Sequence, residues 1–221
     1  MIAPLVLGVA GVAILLSLGN WQLRRLAWKE ALLAEIETRI SADPVALPPV
    51  PNSDRDRYLS VRLDGAFEGE PLRVLTGSKR EGPGFRVVSA FRTADGRRVL
   101  VDRGFVPEAK ADGVPTARPA RVVGNLDWPD ETDGFTPAPD SERNIWFARD
   151  VAAMAEALGT EPVLVVARRV DPPDPGVTPT PIDTSAIPND HLNYAITWFS
   201  LAVVWAGMTA YWLWRIRRGG G

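Results

Sequence analysis

Uncharged, mostly apolar residues are concentrated at the two ends of the chain, with no charged side chain from Ile2 to Leu23 or from Leu192 to Trp214. Each run reaches the roughly 20 residues needed to cross about 30 Å of hydrocarbon at about 1.5 Å per residue. The pattern predicts two transmembrane helices, over 2–23 and 191–214. A cleaved signal peptide is the rival reading of the first run, but the run lacks a basic leading segment and exceeds the usual apolar core of roughly 7–15 residues. Immediately after it, "WKEALLAEIETRI" repeats apolar Ala31, Leu32, Ile36 and Ile40 at helical spacing between charged residues. This predicts an amphipathic juxtamembrane helix over 24–41 that continues the first span. The four prolines of "SADPVALPPVPNSD" then forbid helix and predict a linker over 42–57.

From Tyr58 the period changes from helical to alternating. In "YLSVRLDGAF", Leu59, Val61 and Leu63 alternate with Tyr58, Ser60 and Arg62; "PLRVLTGS" follows after a Gly-Glu turn. "FRVVSAFRTADGRRVLVDRGFV" reads as a hairpin about Asp95-Gly96, and "RVVGNLDW" and "EPVLVVARRV" supply further strands. One short helix is predicted in "RDVAAMAEALG", with Asp150 as N-cap and Gly159 just past its end. Together these predict a β-rich domain over 58–170, built as a small antiparallel barrel or sandwich. A Pro- and Asp-rich tether over 171–190 returns the chain to the second span, and 215–221 forms a tail. The fold class expected is therefore an α+β membrane protein in which two terminal transmembrane helices flank the β-domain.

Charge adds orientation. The tail carries Arg215, Arg217 and Arg218, whereas the segment before the second span carries Asp171, Asp174, Asp183 and Asp190. The positive-inside rule puts the tail in the cytoplasm, and with two spans the other terminus as well. Arg24, Arg25 and Lys29 after the first span argue the opposite way; the contrast across the second span is taken as decisive. The β-domain is then expected to be periplasmic in a bacterial inner membrane, or intermembrane in a mitochondrion. A net charge of −2 over 221 residues gives no reason to expect a nucleic-acid partner.

Composition narrows the chemistry. The chain has no cysteine and one histidine, His191, one residue before the second uncharged run. Disulfides, thiolate metal sites and a multi-histidine metal site within one chain are excluded. No GxSxG, P-loop or GxGxxG occurs. Carboxylate pairs such as Asp130/Glu131 and Asp171/Asp174 lie in proline-rich loops, where a solvated surface is the expected role. "TGSKREGPGF" matches no phosphate loop and reads as a hairpin turn. No catalytic residues are expected.

Four motifs occur in order between the terminal spans: "GNWQLRRLAWKEALL", "VLVDRGFVP", "RNIWFARD" and "PNDHLNYAITWFSLA". Together they resemble the Surf1 family across essentially the whole chain. The matching positions are Gly19, Trp21, Gln22, Arg25 and Lys29 in the first motif, Arg103, Gly104 and Pro107 in the second, and His191, Tyr194, Ala195 and Trp198 in the last. Asp190 departs from the small polar residue expected before the histidine. The resemblance implies an integral membrane assembly factor for a haem–copper terminal oxidase, not an enzyme. Its implied ligand is haem a, or haem b, and its implied partners are the oxidase catalytic subunit I, a haem a synthase and membrane lipid.

On that reading His191 is the ligand of the haem iron, Arg24 and Arg25 meet the propionates, and Trp21, Trp198 and Tyr194 surround the macrocycle. At about 100° per residue, His191, Ala195, Trp198, Ala202 and Thr209 share one arc of the second helix. Ala202, Ala206 and Ala210, with Gly8, Gly11, Ala13 and Ser17 of the first span, are expected to form the contact between the helices. Snorkelling arginines and an interfacial aromatic belt are the competing roles for the arginines and tryptophans, and for Tyr211, Trp212 and Trp214 the belt is the role expected. A scaffold that holds the assembling oxidase subunit without binding haem is the alternative function.

Overall fold

The computed structural model describes residues 2–78, 82–185 and 187–219. The chain divides into two compact units, Met1–Glu35 with Thr184–Gly221, and Ile36–Asp183. Two long apolar helices at the termini belong mainly to the first unit, and the second is a barrel-like sheet domain.

Helix α1 runs Ile2–Ser41 without a break, so the first apolar run and the amphipathic segment after it are one helix. Helix α4 runs His191–Gly219. Both are long and apolar enough to cross a membrane. Large apolar side chains stay uncovered on both, Val203 being 73% exposed. The helices pack antiparallel through glycine notches. A Cβ on Gly8 would lie 2.1 Å from Thr209 Cγ2, one on Gly11 2.3 Å from Trp205 Nε1, and one on Gly19 2.6 Å from Phe199 Cε1. Trp205 Nε1 also donates to the Gly8 carbonyl at 3.2 Å. Ala195 and Ala202 are buried in this seam, and His191, Trp198 and Thr209 are half-buried, as the shared arc predicts. The expected small-on-small contact is corrected, since Ala13, Ser17, Ala206 and Ala210 are exposed. The glycines of α1 instead receive the larger side chains of α4, because an aromatic ring fills a notch that two small residues would leave as a void.

In the second unit, β2 (Ser60–Ser78), β3 (Gly82–Thr93) and β4 (Arg98–Pro107) form a meander; β5 (Arg118–Asp127) returns beside β2, and β7 (Leu164–Asp171) fits between β4 and β5. Pairing of β2 with β5 closes the circuit into a Greek-key barrel. Short β1 (Val45–Ala46) and β6 (Ile145–Trp146) add parallel pairings to β2. Val61, Leu63, Phe67 and Phe91 fill the interior, with Phe67 edge-on to Phe91 at 5.1 Å. Each such side chain gains about 1.5–3 kcal/mol on burial.

The structure corrects the expected barrel in four ways. It is not wholly antiparallel, because β4 and β7 pair parallel. Helix α3 (Val151–Leu158), capped by Asp150 and followed by left-handed Gly159, lies in the long connection from β5 to β7, which runs antiparallel to β5 and so parallel to β4. The Gly69-Glu70 turn is instead a register shift inside the single strand β2. The proline-rich linker carries β1 and a short helix α2 (Ser53–Asp56), capped by Asn52 Oδ1. The expected turn in "TGSKREGPGF" falls partly on 79–81, outside the described residues, although Ser78 and Gly82 pair across it.

The fourth correction is the tether. Asp174 is buried, and its carboxylate accepts from Arg103 Nε at 2.8 Å, from Arg103 Nη2, and from Arg118 Nη2 at 2.6 Å. Arg103 is itself fully buried and stacks 4.3 Å above the Phe67 ring. Phe105 and Thr178 exchange backbone hydrogen bonds at 2.8 Å. Gly104 makes this strap possible, since its φ is +120° and a Cβ there would lie 2.2 Å from the Thr178 carbonyl oxygen. The first part of the tether is therefore a fixed element of the barrel.

Candidate functional site

Proline ends the tether at Pro188, and α4 begins at His191, where the Asp190 carbonyl accepts the first helical bond from Tyr194 N. Lys29 of α1 donates its ammonium to the Pro188 carbonyl, fixing the approach to that first turn. The half-buried His191 ring then meets Gln22, which is only 8% exposed. His191 Nδ1 and Gln22 Oε1 are 2.8 Å apart. An amide oxygen only accepts, so with the Gln22 amide in this orientation Nδ1 is the donor, and in the neutral ring the lone pair is then on Nε2. Among the described residues no hydrogen bond engages Nε2. A second partner that fixes tautomer and ring angle is the usual support of a metal-binding imidazole. The imidazole could therefore offer one nitrogen donor to a metal.

The other residues expected at the site divide by helix geometry. Antiparallel packing at Gly8/Thr209 and Gly19/Phe199 places Trp21 and Arg25 on the same flank of the helix pair as Tyr194 and Trp198. Trp21 and Tyr194 are exposed there and Trp198 is half-buried. The Arg25 guanidinium lies 4.5 Å over the Trp28 ring, a pairing the sequence reading did not include. Arg24 is exposed and, two residues beyond Gln22, projects from the opposite side of α1. Gln22 was visible in the first motif, yet nothing in the sequence joined it to a histidine 169 positions away.

Within the barrel, the second and third motifs meet at Asp102. This fully buried carboxylate accepts from Arg86 Nε at 2.7 Å and from Arg149 Nη1 at 3.2 Å, and its other oxygen accepts from Gly104 N. Arg149 also holds Glu131 through its backbone N–H at 2.9 Å and its guanidinium. Burial would raise the Glu131 carboxyl, but the hydrogen bonds and charge of Arg149 hold it below the usual carboxylate range. Glu131 and Asp174, read from sequence as solvated loop acids, thus take structural roles.

The SURF1 family model matches residues 9–203. Surfeit locus protein 1 of Homo sapiens is 32% identical, over 91% of this chain and 74% of its own length. A SURF1-like protein of Monosiga brevicollis is 35% identical over 92% and 84% respectively, and one of Rickettsia conorii is 30% identical over 86% and 82%. The match runs through α1, the barrel and the first half of α4, taking in His191 and Gln22: the chain belongs to the SURF1 family.

Proposed function

We propose that the protein is an assembly factor that receives haem a, or haem b, at His191 and passes it to the catalytic subunit I of a haem–copper terminal oxidase, with a haem a synthase as the donor. The observation that supports this reading is the 2.8 Å contact of His191 Nδ1 with buried Gln22, which would leave Nε2 of the neutral ring to act as the ligand. Haem iron supplies the Lewis acid that such a nitrogen binds. Arg25, stacked on Trp28, provides a cation for a carboxylate at the same helix level, and Trp21, Tyr194 and Trp198 offer apolar and aromatic surface on that flank. Arg24, also exposed at this level of α1, is the second propionate partner in this proposal.

The reading places α1 and α4 across a bacterial inner membrane, with lipid against their uncovered apolar faces. Their sparse burial supports this, because a soluble protein rarely leaves so much contiguous apolar helix exposed. Both termini are then cytoplasmic and the barrel periplasmic. A phosphatase reporter fused after Gly134 should be active and one fused after Arg218 inactive. The reverse pattern would mean that Arg24, Arg25 and Lys29 govern insertion.

Purification separates haem handling from a scaffold role. Protein extracted in detergent from a host that makes haem a should be coloured and show a Soret band. Colourless protein that still associates with the oxidase subunit would favour the scaffold.

A further inference from the structure

The loop 129–144 has no part in the helix pair, yet it is built. Arg149 clasps Glu131 near its start, and Asp140 exchanges two backbone hydrogen bonds with Ile145, at 2.9 and 3.0 Å, near its end. Between these clamps Asp133 organises a turn, its Oδ1 accepting from Phe135 N and from Thr136 Oγ1, both at 2.9 Å. Thr136 Oγ1 in turn accepts from Asp133 N at 2.9 Å. The product of this order is Phe135 displayed to solvent at 94% exposure. Beside the turn, Pro137, Pro139, Trp146 and the exposed Phe147 border a cavity of about 160 Å³.

An aromatic ring held in water by a hydrogen-bonded turn is a preorganised anchor: it loses little conformational freedom on docking and gains the full value of burial. The charge around it selects the occupant. The loop carries Asp130, Glu131, Asp133, Asp140 and Glu142 against one basic residue of its own, Arg143; Arg149 pairs with Glu131 and Arg143 lies 3.9 Å from Asp140, which leaves Asp130, Asp133 and Glu142 as the excess negative charge beside the ring. That field repels an anionic lipid surface and attracts a basic protein surface. We infer that Phe135 and its acidic loop dock onto a partner protein that offers an apolar pocket with a basic rim. Taking that partner to be the oxidase catalytic subunit rests on the assembly-factor reading above.

The test uses the tagged full-length protein, extracted together with the oxidase from a host that makes both. Recovered catalytic subunit is measured at low and high ionic strength. Phe135→Ala is expected to lower recovery about tenfold, the loss of one buried aromatic anchor, while Phe135→Trp retains it. Asp130→Asn with Glu142→Gln, which leaves the clamps and the turn untouched, should lower recovery and flatten its dependence on salt. Unchanged haem content and thermal unfolding of Phe135→Ala would show that the fold and the helix site are intact. Undiminished recovery with Phe135→Ala overturns the inference, as does a photoreactive side chain at position 135 that labels lipid and no protein. If the wild-type chain recovers no subunit, the assembly reading falls and this inference with it.

Discussion

His191→Ala protein is expected to accumulate in membranes at near wild-type level and to lose most of its bound haem. Alanine is a strong helix former, and α4 keeps its apolar length, so insertion should not suffer. What disappears is the chain's only imidazole, and with it Nε2. Gln22→Leu should act through the histidine. The side chain is similar in size and apolar, but Nδ1 loses its acceptor and the ring its fixed tautomer, so haem affinity should fall about 10–100-fold. Arg25→Ala should weaken retention less, because it removes a proposed charge partner and leaves the proposed iron ligand. Haem per protein and the Soret position, read on detergent-purified material, check all three. An unchanged spectrum in His191→Ala would sink the ligand assignment. Equal losses in Gln22→Leu and Arg25→Ala would remove the positioning role given to Gln22.

Asp174→Ala is expected to be the most damaging single change in the barrel. The carboxylate is the shared partner of Arg103, which is fully buried, and of Arg118, which is 14% exposed. Removing it leaves two guanidinium groups side by side without a counter-charge and leaves the tether held to β4 only by the Phe105–Thr178 backbone pair. Breaking a buried ion pair by deleting one partner costs about 3–5 kcal/mol. In a unit of this size that corresponds to a fall in melting temperature of roughly 10 °C or more. Arg121→Ala is the control, since its pair with Asp64 is more than half exposed on both sides and should matter little. Thermal unfolding of the full chain in detergent, followed by the strand signal in circular dichroism, measures the difference. A melting temperature for Asp174→Ala within a degree or two of the control would show that Arg103 and Arg118 are hydrated or paired elsewhere.

Periodicity and capping residues marked the long elements, though not the short β1, α2 and β6 or the continuity of β2. The uncharged runs mark α1 and α4, alternation marks the strands, Asp150 and Gly159 bound α3, and Ala195 and Ala202 fall on the buried face of α4. These features depend on residues within a turn or two of one another, so local sequence is enough to specify them. The family motifs marked His191 for the same reason, as a short signature at the start of an apolar helix. Tertiary structure alone decided what those residues meet. Gln22 supports a histidine 169 positions away, Asp174 leaves the solvated class by reaching Arg103 71 positions away, and Asp102 joins two motifs through Arg149, 47 positions on. The parallel pairing of β4 with β7 and the closure of β2 on β5 are of the same kind. A buried charge or polar group is stable only when its partner is present, and that partner is chosen by how the chain folds back in space, on which the spacing of residues along it is silent.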